Sequence, residues 1–470
     1  MSQPQPPIPQ PSFPGQFEQG RAAQPMPAGS SQQPAQAPWQ PGQAAPWQSA
    51  PRQPLPEVDL AAAATAARGR SLAPDLARGI MLLLIALANV PWWLTAAEHG
   101  ATNAHGIGYE GADLIYQLVS LVVIDGRAYP LFAFLFGYGI WQMYSRQAAA
   151  GTPWRDARRV LQIRHGWMVA FGAVHALLLW FGDIVGAYGL VGLIVVGALL
   201  RRSDRTLVVV AWIVTGLLAV AGVLTLVSGL LLGSGAFGDA SLFATSDIPA
   251  VAAESNYLLF MAASFGTWLL ATPGQVIMLT VPLAVVLGLL AARRGLLDRP
   301  QEHRALLTRI AVGGILIGWA GGAVAALQFA GVLLDPAVSF ATMGITGLAG
   351  VAGGIGYAAL FGLIGAAIGR RGERRPHGIV TRAVSAVGKR SLTSYLLQSV
   401  LFAPVLAAWG FGLGATMTPL TAAGLAVGVW LVTAVVALLL DLRGKRGPAE
   451  ALLRRLAYGR RPVAAPTPVG

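Results

Sequence analysis

The sequence predicts an all-α, polytopic membrane protein, a bundle of about ten transmembrane helices. Three observations predict this fold class. Of the 470 residues, 55% are hydrophobic and only 11% are charged, whereas an ordinary soluble domain is about 25% charged. The hydrophobic residues form runs long enough to cross a bilayer. Short clusters, composed almost entirely of arginine, separate these runs. We therefore expect a lipid bilayer around this chain.

The N-terminal residues 1–70 differ from the rest, because they are rich in Pro, Gln, Ala and Ser and carry few charges. Such a segment cannot bury enough apolar surface to offset chain entropy, so we expect a disordered cytoplasmic tail. It also lacks the basic start and apolar core of a cleaved signal peptide. A Pro-rich docking site for a partner is the alternative. The transmembrane domain is expected at 71–460, followed by a flexible tail at 461–470.

The first apolar run, residues 76–97, contains Asn89. At a rise of ~1.5 Å per residue, Asn89 lies roughly 16 Å past Arg78, near the middle of a bilayer. An amide at that depth is costly without a partner, so the run favours a bundle with a polar interior over a single anchor. Asn89 is therefore a candidate substrate-binding residue.

Nine further apolar runs complete the predicted bundle. Arginine clusters fall at every second boundary, and the positive-inside rule assigns those ends to the cytoplasm. The opposite boundaries carry carboxylates and little positive charge, so both termini are expected in the cytoplasm. The runs lie at 128–144, 160–180, 184–200, 206–232, within 257–292, 305–330, within 337–369, 392–410 and 420–440.

Three apolar runs do not fit a simple up-and-down bundle. Residues 111–124 are too few for one crossing, and 257–292 and 337–369 are each too long for one and too short for two. Half-helices on the outer side are one interpretation, with breaks at Pro273-Gly274 and in the glycine-rich run 337–369. A long tilted helix with a kink is the alternative.

His175 and Asp183 are the candidate catalytic residues. His175 falls ~22 Å from the cytoplasmic start of the third run, and Asp183 follows at the outer turn. A carboxylate beside an imidazole fixes its tautomer and raises its basicity, as a general base requires. A structural contact that closes the turn is the alternative. Tyr188, in the next run, is a candidate substrate-binding residue.

Histidines also occur in the outer loop before residue 111. His99 and His105 could act as ligands or acid/base groups, although loop histidines are usually only solvated. We include His105 among the substrate-binding candidates. Asp125 and Arg127 flank a glycine at a helix start, where an ion pair is expected.

Two further clusters concern binding. Arg159 and Arg164, at the start of the third run, could grip the phosphates of a donor such as coenzyme A; a pure topology signal is the alternative. Tyr395 and Gln398, in the ninth run, share a helix face and could line a substrate cavity. Interhelical hydrogen bonding is the alternative there.

Several function classes are excluded or disfavoured. The chain has no cysteine, which excludes disulfides, thiolate nucleophiles and cysteine metal sites. The net charge of +13 lies in clusters between apolar runs, so topology explains it and no nucleic-acid partner is expected. There is no Walker loop, GxSxG elbow or HExxH motif. We expect no metal site and no bound cofactor.

Five motifs occur in order: RGI with Ala-Asn in the first run, FLFGYG, HALLLWFGDIVGAYG, GKRSLTSYLLQS and RGPAEALLRRLAYG. Together, from about Arg78 to Tyr458, they resemble the YeiB-like bacterial membrane proteins, catalogued as domain of unknown function 418. The resemblance implies a multi-pass protein of the bacterial plasma membrane. That family is grouped by distant similarity with transmembrane acyltransferases, which use cytoplasmic acyl-CoA and modify sugars on the far side through a histidine.

The leading hypothesis is therefore a membrane acyltransferase that takes acyl-CoA as co-substrate and acts on an extracytoplasmic envelope glycan or lipid headgroup. His175 would be the general base and Asp183 its orienting partner, with Arg159 and Arg164 as donor contacts. A secondary transporter or exporter is the alternative, motivated by the expected broken helices. A third interpretation is a structural protein that recruits a partner through the Pro-rich tail.

Overall fold

A computed structural model describes residues 72–459, except 101, 236–244, 247–249 and 373–377. At 245–246 and 371–372 it describes the backbone alone. The tails predicted at 1–70 and 461–470 lie outside the described residues, so their disorder stays a prediction.

The described part of the chain consists almost entirely of helices, which confirms the all-α fold class. Its strands are β1 (His99–Gly100) and β2 (Thr245–Ser246), which pair antiparallel with His99 opposite Ser246. The helices are α1 Leu72–Asn89, α2 Gly111–Val123, α3 Ala128–Ala149, α4 Trp154–Leu178, α5 Val185–Ile194, α6 Asp204–Gly233, α7 Ala250–Ala253, α8 Tyr257–Ile277, α9 Thr280–Arg293, α10 Arg304–Phe329, α11 Met343–Gly372, α12 Ile379–Lys389, α13 Ser391–Leu406, α14 Pro419–Leu442 and α15 Pro448–Tyr458.

The length and polarity of the helices support a membrane protein. Within the described residues, 6 helices are long and apolar enough to cross a bilayer, or 7 if the bent pair α8 and α9 forms one span. Large apolar side chains point outward from several of them; Trp212 on α6 is 72% exposed and Leu270 on α8 is 82% exposed. Apolar surface of this extent needs a nonaqueous environment. The membrane bundle is thus supported, while ten crossings and cytoplasmic termini stay predictions.

Helix α1 lies at the centre of the bundle, where Met81 and Ile85 are fully buried. It packs against α3, α11, α12, α13 and α14. Two glycines allow close backbone contact: a Cβ on Gly79 would collide with the backbone of Val384, and one on Gly388 with that of Asp75. The central position of α1 follows from its small and apolar surface.

The glycine-rich run at 337–369 does not break, which corrects the expectation of a half-helix there. A short 3-10 segment, Pro336–Thr342, leads into the continuous helix α11. A Cβ on Gly318 of α10 would lie 2.6 Å from the Cα of Gly353 on α11. The glycines therefore serve close helix packing, which small residues favour in membranes.

The run at 257–292 does contain a break, but not at Pro273-Gly274. Pro273 lies inside α8, because a membrane helix tolerates a proline where neighbouring groups satisfy the freed carbonyl. The chain turns at Leu279 instead, whose φ of 61° is in the left-handed region. Helices α8 and α9 meet there at 54°.

A leucine at Gly318 tests the packing of α10 on α11. The variant Gly318→Leu should destabilise the purified protein by about 1–3 kcal/mol, because the side chain must separate two helices in near backbone contact. Gly313→Leu is the matched control, since a Cβ there meets no heavy atom within 4 Å. Thermal melting in detergent measures both, and equal melting temperatures would contradict this packing.

Candidate functional site

A histidine and an aspartate form a buried pair where α4 turns into α5. The Nδ1 of His175 lies 2.8 Å from Oδ1 of Asp183. The other carboxylate oxygen accepts hydrogen bonds from the backbone N–H of Gly186 at 2.7 Å and from Nε1 of Trp268 at 3.3 Å. His175 is 3% exposed and Asp183 0% exposed. The structure thus brings together the two candidate catalytic residues.

Local sequence explains why this carboxylate is held so closely. Asp183 precedes α5 and binds the N–H of Gly186, one of the free donors at the start of a helix. On α4, one turn before His175, stands Gly172. A Cβ at Gly172 would collide with the Asp183 carboxylate and with the Gly186 backbone. Glycine at this position is therefore required for the turn to approach α4.

The arrangement leaves one histidine nitrogen available for chemistry. An ionised carboxylate only accepts hydrogen bonds, so in a neutral imidazole the nitrogen facing Asp183 carries the hydrogen and Nε2 keeps the lone pair. Nε2 of His175 is buried and has no hydrogen-bond partner among the described residues. The ring of Tyr395 on α13 meets the imidazole edge-on, with the ring centroids 5.2 Å apart.

A cavity of about 280 Å³ separates this pair from one end of the bundle. The end from which it opens carries Arg146, Arg164 and Lys389 and is here called the arginine-rich end. The cavity reaches inward to Tyr395, so the same ring contacts both the cavity and His175. Its basic lining residues are Arg78, Arg146, Arg164 and Lys389, and its inner wall includes Ile184, Val185 and Tyr395.

Carboxylates also line this cavity, but their charge is partly engaged. Asp298 accepts hydrogen bonds of 2.8 Å from Tyr138 and Gln142. Burial raises the pKa of the Asp298 carboxyl, although these two hydrogen bonds lower it. Glu450 accepts the backbone N–H groups of Leu392 and Thr393 and so caps the start of α13. A third lining carboxylate, Asp75, lies 3.6 Å from Arg78, so four basic side chains and three carboxylates line the cavity.

The two arginine candidates differ in position. Arg164 lines the cavity, whereas Arg159 is exposed and lies outside that lining. The two residues are five positions apart on α4, which turns them to different faces of the helix. Arg164 is thus the one suited to a ligand in the cavity.

Of the other binding candidates, three make internal contacts instead of lining the cavity. Asn89 accepts a hydrogen bond of 2.8 Å from Tyr129, which satisfies its amide oxygen inside the bundle. Tyr188 donates to the carbonyl of Tyr129 at 2.9 Å. Gln398 donates to the carbonyl of Leu82 on α1 at 3.2 Å. Gln398 thus fits the alternative of interhelical hydrogen bonding, and Asn89 and Tyr188 are bonded internally in the same way. Tyr395 instead both lines the cavity and contacts His175.

The opposite end of the bundle holds a second histidine and aspartate. Nε2 of His105 lies 2.7 Å from Oδ2 of Asp125, and Oγ of Ser120 donates to the same oxygen at 3.0 Å. Sequence reasoning paired Asp125 with Arg127; the guanidinium of Arg127 instead donates to the backbone carbonyls of Leu121, Asp125 and Gly318. The closeness of His105 and Asp125 had no signal in the sequence, because it depends on how the loop folds over α2.

His99 lies in the same loop region but is held differently. Its Nε2 lies 2.6 Å from the carbonyl oxygen of Leu94, and its ring stacks on Trp92. Burial lowers the pKa of His99, so its neutral form is favoured. In the described part of the chain, no group of three or more His, Asp or Glu side chains could hold a metal ion.

Comparisons with known proteins agree with the sequence motifs. Residues 291–460 match the family model described as "Protein of unknown function (DUF418)". The uncharacterized protein YxaH of Bacillus subtilis is 22% identical over 401 residues, which cover 82% of this chain and 93% of that protein. The uncharacterized protein YeiB of Escherichia coli is 35% identical over 133 residues, 27% of this chain and 30% of YeiB. The resemblance to the YeiB-like DUF418 proteins is thereby confirmed.

The variant Asp183→Asn tests the buried pair. An asparagine presents an NH₂ group where a second acceptor is needed, so one of the three donors facing it loses its partner. A loss of about 1–3 kcal/mol is expected. Glu302→Gln is the control, because that carboxylate is 58% exposed and its partner Arg299 is 33% exposed, and such surface ion pairs contribute about 0–1 kcal/mol. Chemical or thermal unfolding measures both, and a milder effect at Asp183 would contradict this geometry.

Proposed function

We propose that this YeiB-like membrane protein transfers an acyl group from acyl-CoA to a hydroxyl of an extracytoplasmic glycan or lipid headgroup. The observation that carries the proposal is the position of Tyr395, which lines the basic cavity on one side and contacts His175 on the other. A cavity with a basic opening ends there, and the buried pair of His175 and Asp183 lies directly behind it. In this proposal the protein lies in a bacterial plasma membrane. The arginine-rich end and both termini are on the cytoplasmic side, because arginine concentrates on that side.

Binding of the acyl donor is argued from charge. Coenzyme A carries phosphates, and planar guanidinium groups bind phosphate oxygens with two parallel hydrogen bonds. Arg164 lines the cavity, and its Nε is buried without a hydrogen-bond partner among the described residues. In this arrangement Arg164 binds a phosphate of the donor, and the thioester points inward toward Tyr395.

The chemical step assigns one role to each member of the buried pair. Nε2 of His175 takes the proton of the acceptor hydroxyl while the hydroxyl oxygen bonds to the thioester carbonyl carbon. The carbon–sulfur bond breaks, and the leaving sulfur takes the proton from the imidazolium. Asp183 keeps the hydrogen on Nδ1 and stabilises the imidazolium charge. The products are the acylated acceptor and free coenzyme A.

A transporter is the second candidate function, and the break between α8 and α9 favours it. Transporters use interrupted helices to form sites in the membrane, and a cavity lies at each end of this bundle. Flux of a small metabolite into proteoliposomes that contain no acyl-CoA would support transport. Consumption of acyl-CoA that depends on His175 would support the enzyme.

The variant His175→Gln tests the general base. Purified wild-type protein, supplied with acetyl-CoA and an envelope lipid and glycan extract, should release free coenzyme A. In His175→Gln the rate should fall by about 100-fold or more, as for the loss of a general base. His303→Gln is the control, because that ring lies in an exposed loop and contacts the carbonyl of Arg294. An unchanged rate in folded His175→Gln would remove His175 from the mechanism.

The variant Arg164→Gln tests the donor site separately from the chemistry. Loss of one charge-assisted contact should raise the KM for acyl-CoA by about tenfold, with a smaller change in kcat. Arg159→Gln, on the same helix but outside the cavity lining, should leave the KM nearly unchanged. Equal effects of the two substitutions would indicate general surface charge and would contradict a specific phosphate contact.

A further inference from the structure

A second, larger cavity of about 880 Å³ lies at the end of the bundle opposite the arginine-rich end. Its walls come from the loop at 102–109, from α2 and α6, from the break between α8 and α9, and from the adjoining ends of α10 and α11. The irregular backbone at Leu279 belongs to its lining. Non-helical backbone at membrane depth is tolerated where it lines a cavity, so the break and the cavity explain each other.

One part of this cavity is apolar and open to the surroundings of the bundle. Leu217 on α6 and the pair Ile277 and Met278 at the break line it and are 53%, 70% and 56% exposed. On helices with outward-facing apolar side chains, such a surface contacts lipid tails. The opening thus lies where an acyl chain could enter from the side.

The other part of the cavity is polar. The guanidinium of Arg127 is in its lining but donates to backbone carbonyls, whereas Gln117 and Asp125 offer acceptor atoms to a ligand. Gln117 is 1% exposed and donates its amide hydrogen to the carbonyl of Gly106. Its Oε1 is buried without a partner among the described residues. Asp125 also lines the cavity, and its carboxylate is 23% exposed. The bonds from His105 and Ser120 both end on Oδ2 of Asp125, so Oδ1 can accept from a ligand.

We propose that this cavity binds a membrane phospholipid whose headgroup carries hydrogen-bond donors, with an acyl chain along Leu217 and Ile277 and the headgroup at Gln117 and Asp125. A buried acceptor without a partner, as at Gln117, is costly, and a hydroxyl or ammonium group can donate to both Gln117 and Asp125. The cavity has one apolar part and one polar part, as a phospholipid has an acyl chain and a headgroup. The inference is independent of acyl transfer, because it concerns the opposite end of the bundle and no residue of the donor site.

Headgroup chemistry is tested by native mass spectrometry of the full-length, delipidated protein. Phosphatidylethanolamine, whose headgroup donates hydrogen bonds, and phosphatidylcholine, whose headgroup does not, are added at equal concentration. The expected result is a one-to-one adduct that favours phosphatidylethanolamine by about tenfold, and Asp125→Asn should reduce this preference. Equal retention of the two lipids by the wild-type protein would overturn the assignment.

The location of the lipid site is tested by filling the cavity with a large side chain. Ala221→Trp places an indole in the lining on α6 and should abolish the adduct. Ala219→Trp is the control, because that residue is exposed on a different face of the same helix and does not line the cavity. Thr225→Trp, one turn further along the lining, provides a second filled variant if the first does not fold. An adduct that survives in a folded filled variant, or is lost equally in Ala219→Trp, would overturn the proposed location.

Discussion

The buried carboxylate of Asp183 is the constraint on which this arrangement of helices depends. A carboxylate with no solvent exposure in a lipid-embedded bundle costs several kcal/mol unless its oxygens are satisfied. Here the donors come from α4, α5 and α8, through His175, Gly186 and Trp268. Those three helices can move apart only by leaving a buried charge without partners. The interaction that orients the His175 ring therefore also fixes the geometry around it.

The surrounding bundle gives the two ends of the protein different chemistry. A small cavity with basic side chains reaches inward from the arginine-rich end and stops at Tyr395. The opposite end holds a larger cavity whose walls are mainly apolar, with acceptor groups at Gln117 and Asp125. Each cavity lies beside a histidine that is oriented by a carboxylate. An anionic donor suits the first environment and an amphiphile suits the second.

Much of the fold follows from sequence patterns, because apolar runs and arginine clusters report directly on local structure. The candidate pair of His175 and Asp183 could also be predicted from the sequence, since a short turn joins the helices that carry them. The contact between Asp125 and His105 could not be predicted, because His105 lies 20 residues away in a loop without periodicity. The GKRSLTSYLLQS and RGPAEALLRRLAYG motifs contact each other through Thr393 and Glu450, a relation that neither motif contains. Glycines in the run 337–369, interpreted from the sequence as a break, instead pack closely against neighbouring helices, because composition alone does not distinguish the two roles.

A structure of the protein bound to a non-transferable acyl-CoA analogue tests the central claim most directly. The account predicts a phosphate of the analogue at Arg164 and its sulfur beside Tyr395, on the side nearest Nε2 of His175. Binding of the analogue with its sulfur remote from Tyr395, or absence of binding at saturating concentration to a protein whose His175 and Asp183 remain paired, would contradict it.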